Sequence, residues 1–396
     1  MKTSLFGRWS VLGAFTAVAG VSQMLWLNFA PLLSLIQERY GVSELEASSL
    51  ILVFPGLYVL FSLHSGLLID RRGYRFTVGS GGVMMAAFSF VRIYDASFVA
   101  LLIGQIGIAV AQPYVVNGIS KLVADWFEEE SHGLATGIGT IGMFLGMALA
   151  LALTPALNAQ YGLRTTMIVF AGISSAAAAA FLLIARENPA RATRSEIADE
   201  RTADLLGTLM RKRQLDLLFV LAFLALGFFN GLTTWLEPIL ADQNVSAEDA
   251  GLVGGMLILG GILGSAILPA LSDYTRRRKP FLLLSATASI VLVYPLCTTA
   301  NFNWLLVYGA LMGFFFLPGY ALLFAMTEEH AGAVHAGSAA GFLMLTGNAG
   351  GVIVSVVMGA IKGATWINAV YLMAVLMVVT TVLALRLGES LGQHEA

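Results

Sequence analysis

The sequence has few charged residues and a single cysteine. Asp, Glu, Lys and Arg make up 12% of its 396 residues, roughly half of what soluble domains carry. Cys297 has no second cysteine to pair with, so the chain forms no internal disulfide and offers no cysteine cluster for a metal. The sequence contains no Gly-x-x-x-x-Gly-Lys phosphate loop and no evident nucleophile–base or metal-ligand cluster. These absences argue against an enzyme, a nucleotide-driven pump and a resident cofactor or metal.

Long apolar segments recur along the whole sequence. Hydrophobic residues form 58% of the chain, and the mean hydropathy is +0.81. Apolar runs of about 18 residues or more are long enough to cross a bilayer as helices, in which every backbone polar group is satisfied. We therefore predict an all-α membrane protein with twelve transmembrane helices. Their predicted ranges are 9–32, 47–69, 76–93, 97–120, 133–157, 165–185, 214–240, 249–272, 280–298, 302–325, 336–361 and 366–386.

The basic residues predict the orientation. With twelve spans, one side of the membrane carries all but Arg39, Arg92, Arg164 and Lys362 of the 22 Lys and Arg residues. The positive-inside rule then places both termini in the cytoplasm. The start of the chain, residues 1–9, is too short and polar for a cleaved signal peptide, so the first helix is expected to remain. The short loops favour a bacterial-type inner membrane.

A charged loop between two predicted spans carries the most specific motif. Residues 66–75 read Gly-Leu-Leu-Ile-Asp-Arg-Arg-Gly-Tyr-Arg. The order Gly-x-x-x-Asp-Arg-x-Gly-x-Arg resembles the loop 2–3 motif of the major facilitator superfamily of secondary transporters. A weaker copy at 269–279 reads Pro-Ala-Leu-Ser-Asp-Tyr-Thr-Arg-Arg-Arg-Lys, with proline for the first glycine and no glycine after Asp273. Repetition of one device in two halves is expected of a duplicated transporter fold.

The resemblance implies the major facilitator fold, with two pseudo-symmetric six-helix bundles and a central cavity near the midplane. We assign the N-terminal bundle to 1–185 and the C-terminal bundle to 214–396. The charged stretch 186–213 is predicted to be a cytoplasmic linker with a short amphipathic helix at 199–212. The loop residues Asp70, Arg71, Arg75, Asp273 and Arg276 are predicted to gate the cytoplasmic side, because acids and guanidinium groups bind helix ends and one another.

Polar side chains in the first half mark candidate substrate contacts. Gln23 and Trp26 are about one turn apart in the first span, and Gln112 precedes Pro113 in the fourth. Polar groups at membrane depth face protein or water rather than lipid. The alternatives are an interfacial belt position for Trp26 and helix–helix hydrogen bonding for Gln112 and the nearby Gln105.

In the second half, the seventh predicted span carries a carboxylate. Asn230, Thr234 and Glu237 share one face of that helix, and Asn348 lies among glycines in the eleventh. An intramembrane acid indicates a functional site, here a counter-charge for a cation or a proton-coupling site. The alternative for Glu237 is a water-exposed helix end close to Asp242.

Several segments also resemble the feline leukaemia virus subgroup C receptor-related transporters, which move choline, ethanolamine and haem. They are 26–31 (Trp-Leu-Asn-Phe-Ala-Pro), Gly104-Gln105, Ala111-Gln112, 118–127 and 272–275. The resemblance implies a quaternary ammonium site built from an aromatic cage and glutamines, a geometry suited to cation–π attraction. The family's tryptophan and first glutamine match Trp26 and Gln112. Its tyrosine and second glutamine fall at Asn230 and Asn348, so half of the cage differs.

We therefore predict a secondary active or facilitative transporter, working by alternating access, whose substrate is a small organic cation or amine. The first alternative is a proton-coupled carrier of a neutral or anionic metabolite with Glu237 as the proton site. The alternative of another class is a membrane receptor or sensor on a transporter scaffold. The predicted partners are a small-molecule substrate, the lipid bilayer and, for the coupled mechanism, protons. We predict a monomer that binds no nucleic acid.

Overall fold

The computed structural model of the chain describes residues 5–128, 131–188, 213–332 and 335–389. All regular elements within these ranges are helices, which confirms the all-α class. The chain divides into two compact units, residues 1–196 and 197–396. The amphipathic helix predicted at 199–212 lies outside the described residues.

The described part of the first unit contains six α-helices and the 3-10 turn Ala30–Leu32. In chain order the helices are α1 Leu5–Leu27, α2 Leu33–Tyr40, α3 Glu44–Val91, α4 Phe98–Val116, α5 Gly118–Trp126 and α6 His132–Ile184. Helix α1 packs mainly on α6, and α3 packs mainly on α4.

The second unit also has six described helices. They are α7 Arg213–Ala241, α8 Ala247–Thr275, α9 Lys279–Thr298, α10 Phe302–Ala331, α11 Ala336–Ile361 and α12 Ile367–Ala384. Helix α8 packs on α10, α7 packs on α11, and α9 contacts α10 and α12.

Ten helical stretches of the described chain are long and apolar enough to cross a membrane. Two of them, α3 with 48 residues and α6 with 53, contain one non-helical residue each, Gly73 (φ 80°) and Gly162 (φ 77°). A positive φ of this kind is readily adopted only by glycine. The number of spans predicted from the sequence exceeds these ten stretches by two.

Side-chain caps define several helix starts. The Ser43 side chain accepts a hydrogen bond from the Glu46 N–H, and the Glu46 carboxylate accepts one from the Ser43 N–H, which forms a capping box at the start of α3. Ser246 caps α8 and Asn301 caps α10 in the same N-cap position. These short polar residues end the loops where the apolar runs begin.

Glycines permit close packing at corresponding places in the two units. A Cβ added to Gly146 of α6 would lie 1.9 Å from the Gly20 carbonyl oxygen of α1. A Cβ added to Gly350 of α11 would lie 2.0 Å from the Phe223 carbonyl oxygen of α7. Small residues at such contacts let helix backbones approach closely, as is typical of membrane helices.

Large apolar side chains cover much of the outer surface, with Leu60, Leu183 and Val291 at least 70% exposed. Soluble monomers rarely expose so much apolar surface. The surface is therefore suited to lipid.

Candidate functional site

Trp26 lies at the end of α1, where the first helix is interrupted. Helix α1 ends at Leu27, and a 3-10 turn with Pro31 at its start precedes α2. The indole N–H of Trp26 donates to the Ile51 carbonyl oxygen of α3 at 3.2 Å, and its ring lies 6.4 Å from that of Phe54. Trp26 is 9% exposed, so it is a buried residue and does not lie in an exposed interfacial belt.

The two glutamines of α4 have different surroundings. Gln105 is fully buried, and its amide donates to the Leu50 carbonyl oxygen at 2.7 Å and to that of Leu25 at 3.4 Å. Gln105 therefore serves helix–helix hydrogen bonding. Gln112, one residue before Pro113, is also buried, as is Gln23 of α1.

A further buried polar cluster joins α1, α3 and α4. The Arg92 guanidinium donates to the Gln105 side-chain oxygen at 2.9 Å and, at 3.5 Å, to Asn28. Arg92 has no exposed surface. In the sequence, Arg92 is distinguished only as one of the few basic residues predicted on the outer side. The signal that could have found its role is the small Gly104 beside Gln105, since a Cβ there would lie 2.4 Å from Arg92 Cγ.

In the second unit, the predicted polar face of α7 is buried. Asn230 is 1% exposed, Thr234 is fully buried, and Glu237 is 6% exposed. Asn230 donates to the Leu226 carbonyl oxygen at 3.0 Å, one turn earlier in the same helix. The burial of Glu237 contradicts the alternative of a water-exposed helix end.

Helix α11 brings a second amide to this region of the same unit. Gly351 of α11 packs directly on Asn230, because an added Cβ would lie 2.3 Å from its Nδ2. Asn348 is three residues earlier on α11, is 9% exposed and donates to the Met344 carbonyl oxygen at 2.8 Å. Residues three apart share a helix face. The α11 face that carries Asn348 is thus the face that contacts Asn230.

The predicted gating residues behave differently in the two units. Asp70, Arg71 and the Arg75 side chain are exposed. Asp273 forms an ion pair with Arg278, which also contacts Glu329 at 3.0 Å. Arg276 has a left-handed backbone conformation with φ 51°. It occupies the position in the second copy of the loop motif that Gly73 occupies in the first. Arg278, which is not among the predicted gating residues, is an ion-pair partner of Asp273.

Two glutamates that were also missed cap the loops. The Glu187 carboxylate accepts a hydrogen bond from the Arg75 backbone N–H at 3.1 Å. The Glu389 carboxylate accepts from the backbone N–H groups of Arg278 at 2.7 Å and Lys279 at 3.3 Å. Burial raises the pKa of the Glu187 carboxyl above its ordinary value, and the Arg75 N–H partly opposes this. The signal in the sequence is an acid just after the last predicted span of each half.

The ends of the units are anchored by further hydrogen bonds. In the first unit, the buried Tyr74 hydroxyl donates to the Arg186 carbonyl oxygen and accepts from the Trp126 indole N–H at 2.7 Å. Asn188 donates to the Asp125 carbonyl oxygen at 2.7 Å. In the second unit, Lys279 Nζ donates to the Leu385 carbonyl oxygen at 2.8 Å.

Sequence relatives include transporters from animals. The choline/ethanolamine transporter flvcr2b of Danio rerio is 22% identical over 378 residues, which cover 89% of this chain and 78% of that protein. The human choline/ethanolamine transporter FLVCR2 is also 22% identical, and the alignment covers 89% of this chain and 72% of that protein. An uncharacterized protein of Archaeoglobus fulgidus is 35% identical over 180 residues, or 46% of this chain and 82% of that protein. The resemblance to the feline leukaemia virus receptor-related transporters is confirmed.

Solved structures share the fold at low sequence identity. The nucleoside transporter NupG aligns with a TM-score of 0.75 at 15% identity, over 95% of this chain and 99% of that chain. A bacterial homologue of the human lysosomal transporter Spinster aligns with a TM-score of 0.77 at 16% identity, over 96% of this chain and 97% of its own. At such identities the likeness concerns the fold alone.

The sequence profile of the Major Facilitator Superfamily matches residues 15–274 and 218–393, which together span most of the chain. The loop motif, the all-helical units and the relatives agree with that match. The chain belongs to the Major Facilitator Superfamily and is an integral membrane transporter of small solutes, not an enzyme.

Proposed function

We propose that this transporter carries a small organic cation or amine by alternating access, and that Glu237 supplies the counter-charge. The observation that carries the proposal is the burial of this carboxylate, which is 6% exposed within an apolar helix. Ionised groups at membrane depth are costly and mark substrate or ion pathways. A buried carboxylate attracts a cation more strongly than a water-exposed one, because the surroundings screen the charge less.

The neighbours of Glu237 support a ligand that also forms hydrogen bonds. Thr234 is on the same face of α7, and its buried hydroxyl has no hydrogen-bond partner among the residues that the structure describes. Buried polar groups are usually hydrogen-bonded. A substrate hydroxyl or amine would satisfy Thr234, and we propose that Asn230 and Asn348 contribute amide groups.

Aromatic and amide side chains of the first unit support the same substrate class. The edge of the Trp26 ring is engaged through its N–H, and we propose that a face of the ring serves as the cation–π surface. We propose that Trp26, Gln23 and Gln112 contact the substrate. The animal relatives named as choline/ethanolamine transporters lend further support to a quaternary ammonium or amine.

The second candidate is a proton-coupled carrier of a neutral or anionic metabolite, with Glu237 as the proton site. An anion would need a basic partner at depth. Arg92 is buried in the first unit, but it is fully enclosed and hydrogen-bonded to Gln105. This arrangement favours the cation as substrate.

We propose twelve spans, with α3 and α6 each crossing twice through the breaks at Gly73 and Gly162. A continuous helix of 48 residues would extend roughly 70 Å, more than twice the hydrocarbon thickness of about 30 Å. The termini would then be cytoplasmic in a bacterial-type inner membrane, in a monomer with bundles 1–185 and 214–396. After Cys297→Ala, a cysteine replacing Thr275 should be labelled only from the cytoplasm and one replacing Gln243 only from outside. Labelling of position 275 from outside would reject this topology.

The substrate class is tested with a matched pair of ligands. Choline and 3,3-dimethylbutan-1-ol have nearly the same shape, but only choline is charged. A ligand that binds the folded state raises its melting temperature. We expect choline or ethanolamine to raise the melting temperature of the purified protein and the neutral alcohol to leave it unchanged. Equal effects of the charged and neutral ligands would contradict a cation site.

Glu237→Gln then separates the two candidates, because it preserves shape and removes the charge. Loss of an ionic hydrogen bond of about 1.5–3 kcal/mol would weaken amine binding roughly ten- to a hundred-fold. If Glu237 is instead the proton site, the variant should still bind and exchange substrate, and only uptake driven by a pH gradient should disappear. Glu248→Gln, at an exposed position of α8 in the same unit, is the control. If Glu237→Gln matches the wild type in substrate binding, in substrate exchange and in uptake driven by a pH gradient, both mechanisms lose their support.

A further inference from the structure

Arg92 is a fully buried cation whose neighbours are neutral. It follows the last residue of α3, and none of the ion pairs among the described residues includes it. Its guanidinium donates to side-chain oxygens of Gln105 at 2.9 Å and of Asn28 and Ser89 at 3.5 Å. Its charge lies 5.8 Å from the centre of the Phe29 ring. Removing a charge from water costs several kcal/mol, and here amide and hydroxyl oxygens, a ring face and the negative end of α3 offset that cost.

The contacts of Arg92 continue through Gln105 to the backbone of two helices. The guanidinium only donates hydrogen bonds, so it fixes the Gln105 side-chain oxygen towards itself. The Gln105 amide nitrogen is thereby directed to the carbonyl oxygens of Leu50 in α3 and Leu25 in α1. Arg92 thus determines which way the Gln105 amide points.

These contacts lie on both sides of Trp26. Leu25, just before it, accepts from Gln105, and Asn28, two residues after it, accepts from Arg92. The Trp26 indole N–H donates to Ile51, which follows the second Gln105 acceptor, Leu50. The end of α1 and the neighbouring turn of α3 are therefore held together by donors from Arg92 and from Gln105 of α4. Trp26 lies at this junction.

We propose that Arg92 is a positioning residue for the substrate site: it orients Gln105, and the pair fixes the end of α1 so that Trp26 presents its ring face to the cation. The inference rests on the proposed role of Trp26 in substrate binding. An arginine that only filled space would not need the Gln105 amide, which links the guanidinium to the backbone of α1 and α3. Gly104 fits the same role, because its missing side chain leaves room for the Arg92 stem.

Two substitutions separate positioning from stability. Arg92→Met keeps an unbranched apolar stem and removes the donors. Gln105→Glu keeps an acceptor, now charged, for Arg92 but removes the donor to Leu25 and Leu50. If Arg92 only stabilises the fold, Gln105→Glu should preserve function, because Arg92 keeps its acceptor and gains an ion pair. If Arg92 acts through the Gln105 amide, both variants should fail in the same way.

The first readout is independent of any substrate. The protein, which has six tryptophans, is labelled with 5-fluorotryptophan, and the ¹⁹F resonance of Trp26 is assigned by its loss in Trp26→Phe. Both variants are expected to shift or broaden that resonance. The resonance of Trp304, exposed in the second unit, should stay unchanged and serves as the internal control. Melting curves and size-exclusion profiles select the variants that fold.

The second readout is choline binding by calorimetry. Both variants are expected to weaken it at least about ten-fold, while Arg92→Lys, which restores one donor, should recover part of the affinity. An unchanged Trp26 resonance and choline affinity in folded Gln105→Glu would overturn the inference. If the wild-type protein binds no amine, the proposed function fails by itself, and the fluorine spectra still decide whether Arg92 positions Trp26.

Discussion

The backbone N–H of Arg278 donates to the carboxylate of Glu389 at 2.7 Å, and this contact has a counterpart in the first unit between Arg75 and Glu187. In both units the acid follows the last helix and the N–H group belongs to the loop motif. Carboxylates near helix N-termini satisfy free N–H groups and complement the helix dipole. The duplication thus extends beyond the motif to the acid that caps it, and that acid ties the end of each unit to its loop.

The cap at Glu187 should depend on pH. Its pKa is raised in the folded protein by burial, so the folded state binds the proton more tightly than the unfolded chain does. The free energy of unfolding should therefore fall as pH rises from below the ordinary glutamate value through the raised one. Glu187→Gln keeps an oxygen acceptor and cannot titrate. We expect the difference in melting temperature between variant and wild type to change over this pH window. A difference that is constant with pH would contradict the role of Glu187.

Arg276→Gly should stabilise the second unit. Arg276 has φ 51°, a conformation that costs a non-glycine residue roughly 1–2 kcal/mol. Glycine removes that cost but adds unfolded-state entropy of about 0.4–1 kcal/mol, so a net gain of up to roughly 1.6 kcal/mol is expected. Thr275→Gly, within the last turn of α8, is the control and should lower the melting temperature. A lower melting temperature for Arg276→Gly would mean that contacts of the arginine side chain outweigh the backbone strain.

Gly146→Ala should disrupt the packing of α1 on α6. The new Cβ would lie 1.9 Å from the Gly20 carbonyl oxygen, and backbone cannot move aside as a flexible side chain can. Overpacking of this kind typically costs about 1–3 kcal/mol. Gly137→Ala on the same helix is the matched control, because an added Cβ there meets nothing within 4 Å. Thermal melting in detergent compares the two, and equal melting temperatures would show that the α1–α6 contact tolerates a methyl group.

Asp70→Asn tests the proposed gate. Asp70 is exposed at the loop motif rather than buried with the candidate substrate contacts. We therefore expect substrate affinity to stay within a few-fold while turnover slows, because a conformational step and not the binding site is altered. Equilibrium binding and counterflow measured on the same preparation separate these effects. Lost binding with unchanged turnover would assign Asp70 to the substrate site.

The sequence by itself was enough to predict that this protein lies in a membrane and to indicate its family. Apolar runs longer than a bilayer requires leave only helices as spanning structures, and the spacing of Gly66, Asp70 and Gly73 indicated the superfamily. The polar face of α7 was predictable as well, because helical periodicity places Asn230, Thr234 and Glu237 together. The sequence predicts twelve spans, whereas the described chain has ten long apolar helical stretches, because α3 and α6 continue through Gly73 and Gly162.

Only the tertiary structure shows which polar side chains form hydrogen bonds to other helices of the protein. Gln105 and Gln112 are one heptad apart on one helix and look alike in sequence. Contacts with α1 and α3 give Gln105 its partners, and the same contacts bury Arg92. Likewise, Asp273 forms an ion pair with Arg278, which lies two residues beyond the left-handed residue Arg276. Sequence spacing specifies neighbours along one helix, whereas hydrogen-bond partners on other helices depend on how those helices pack.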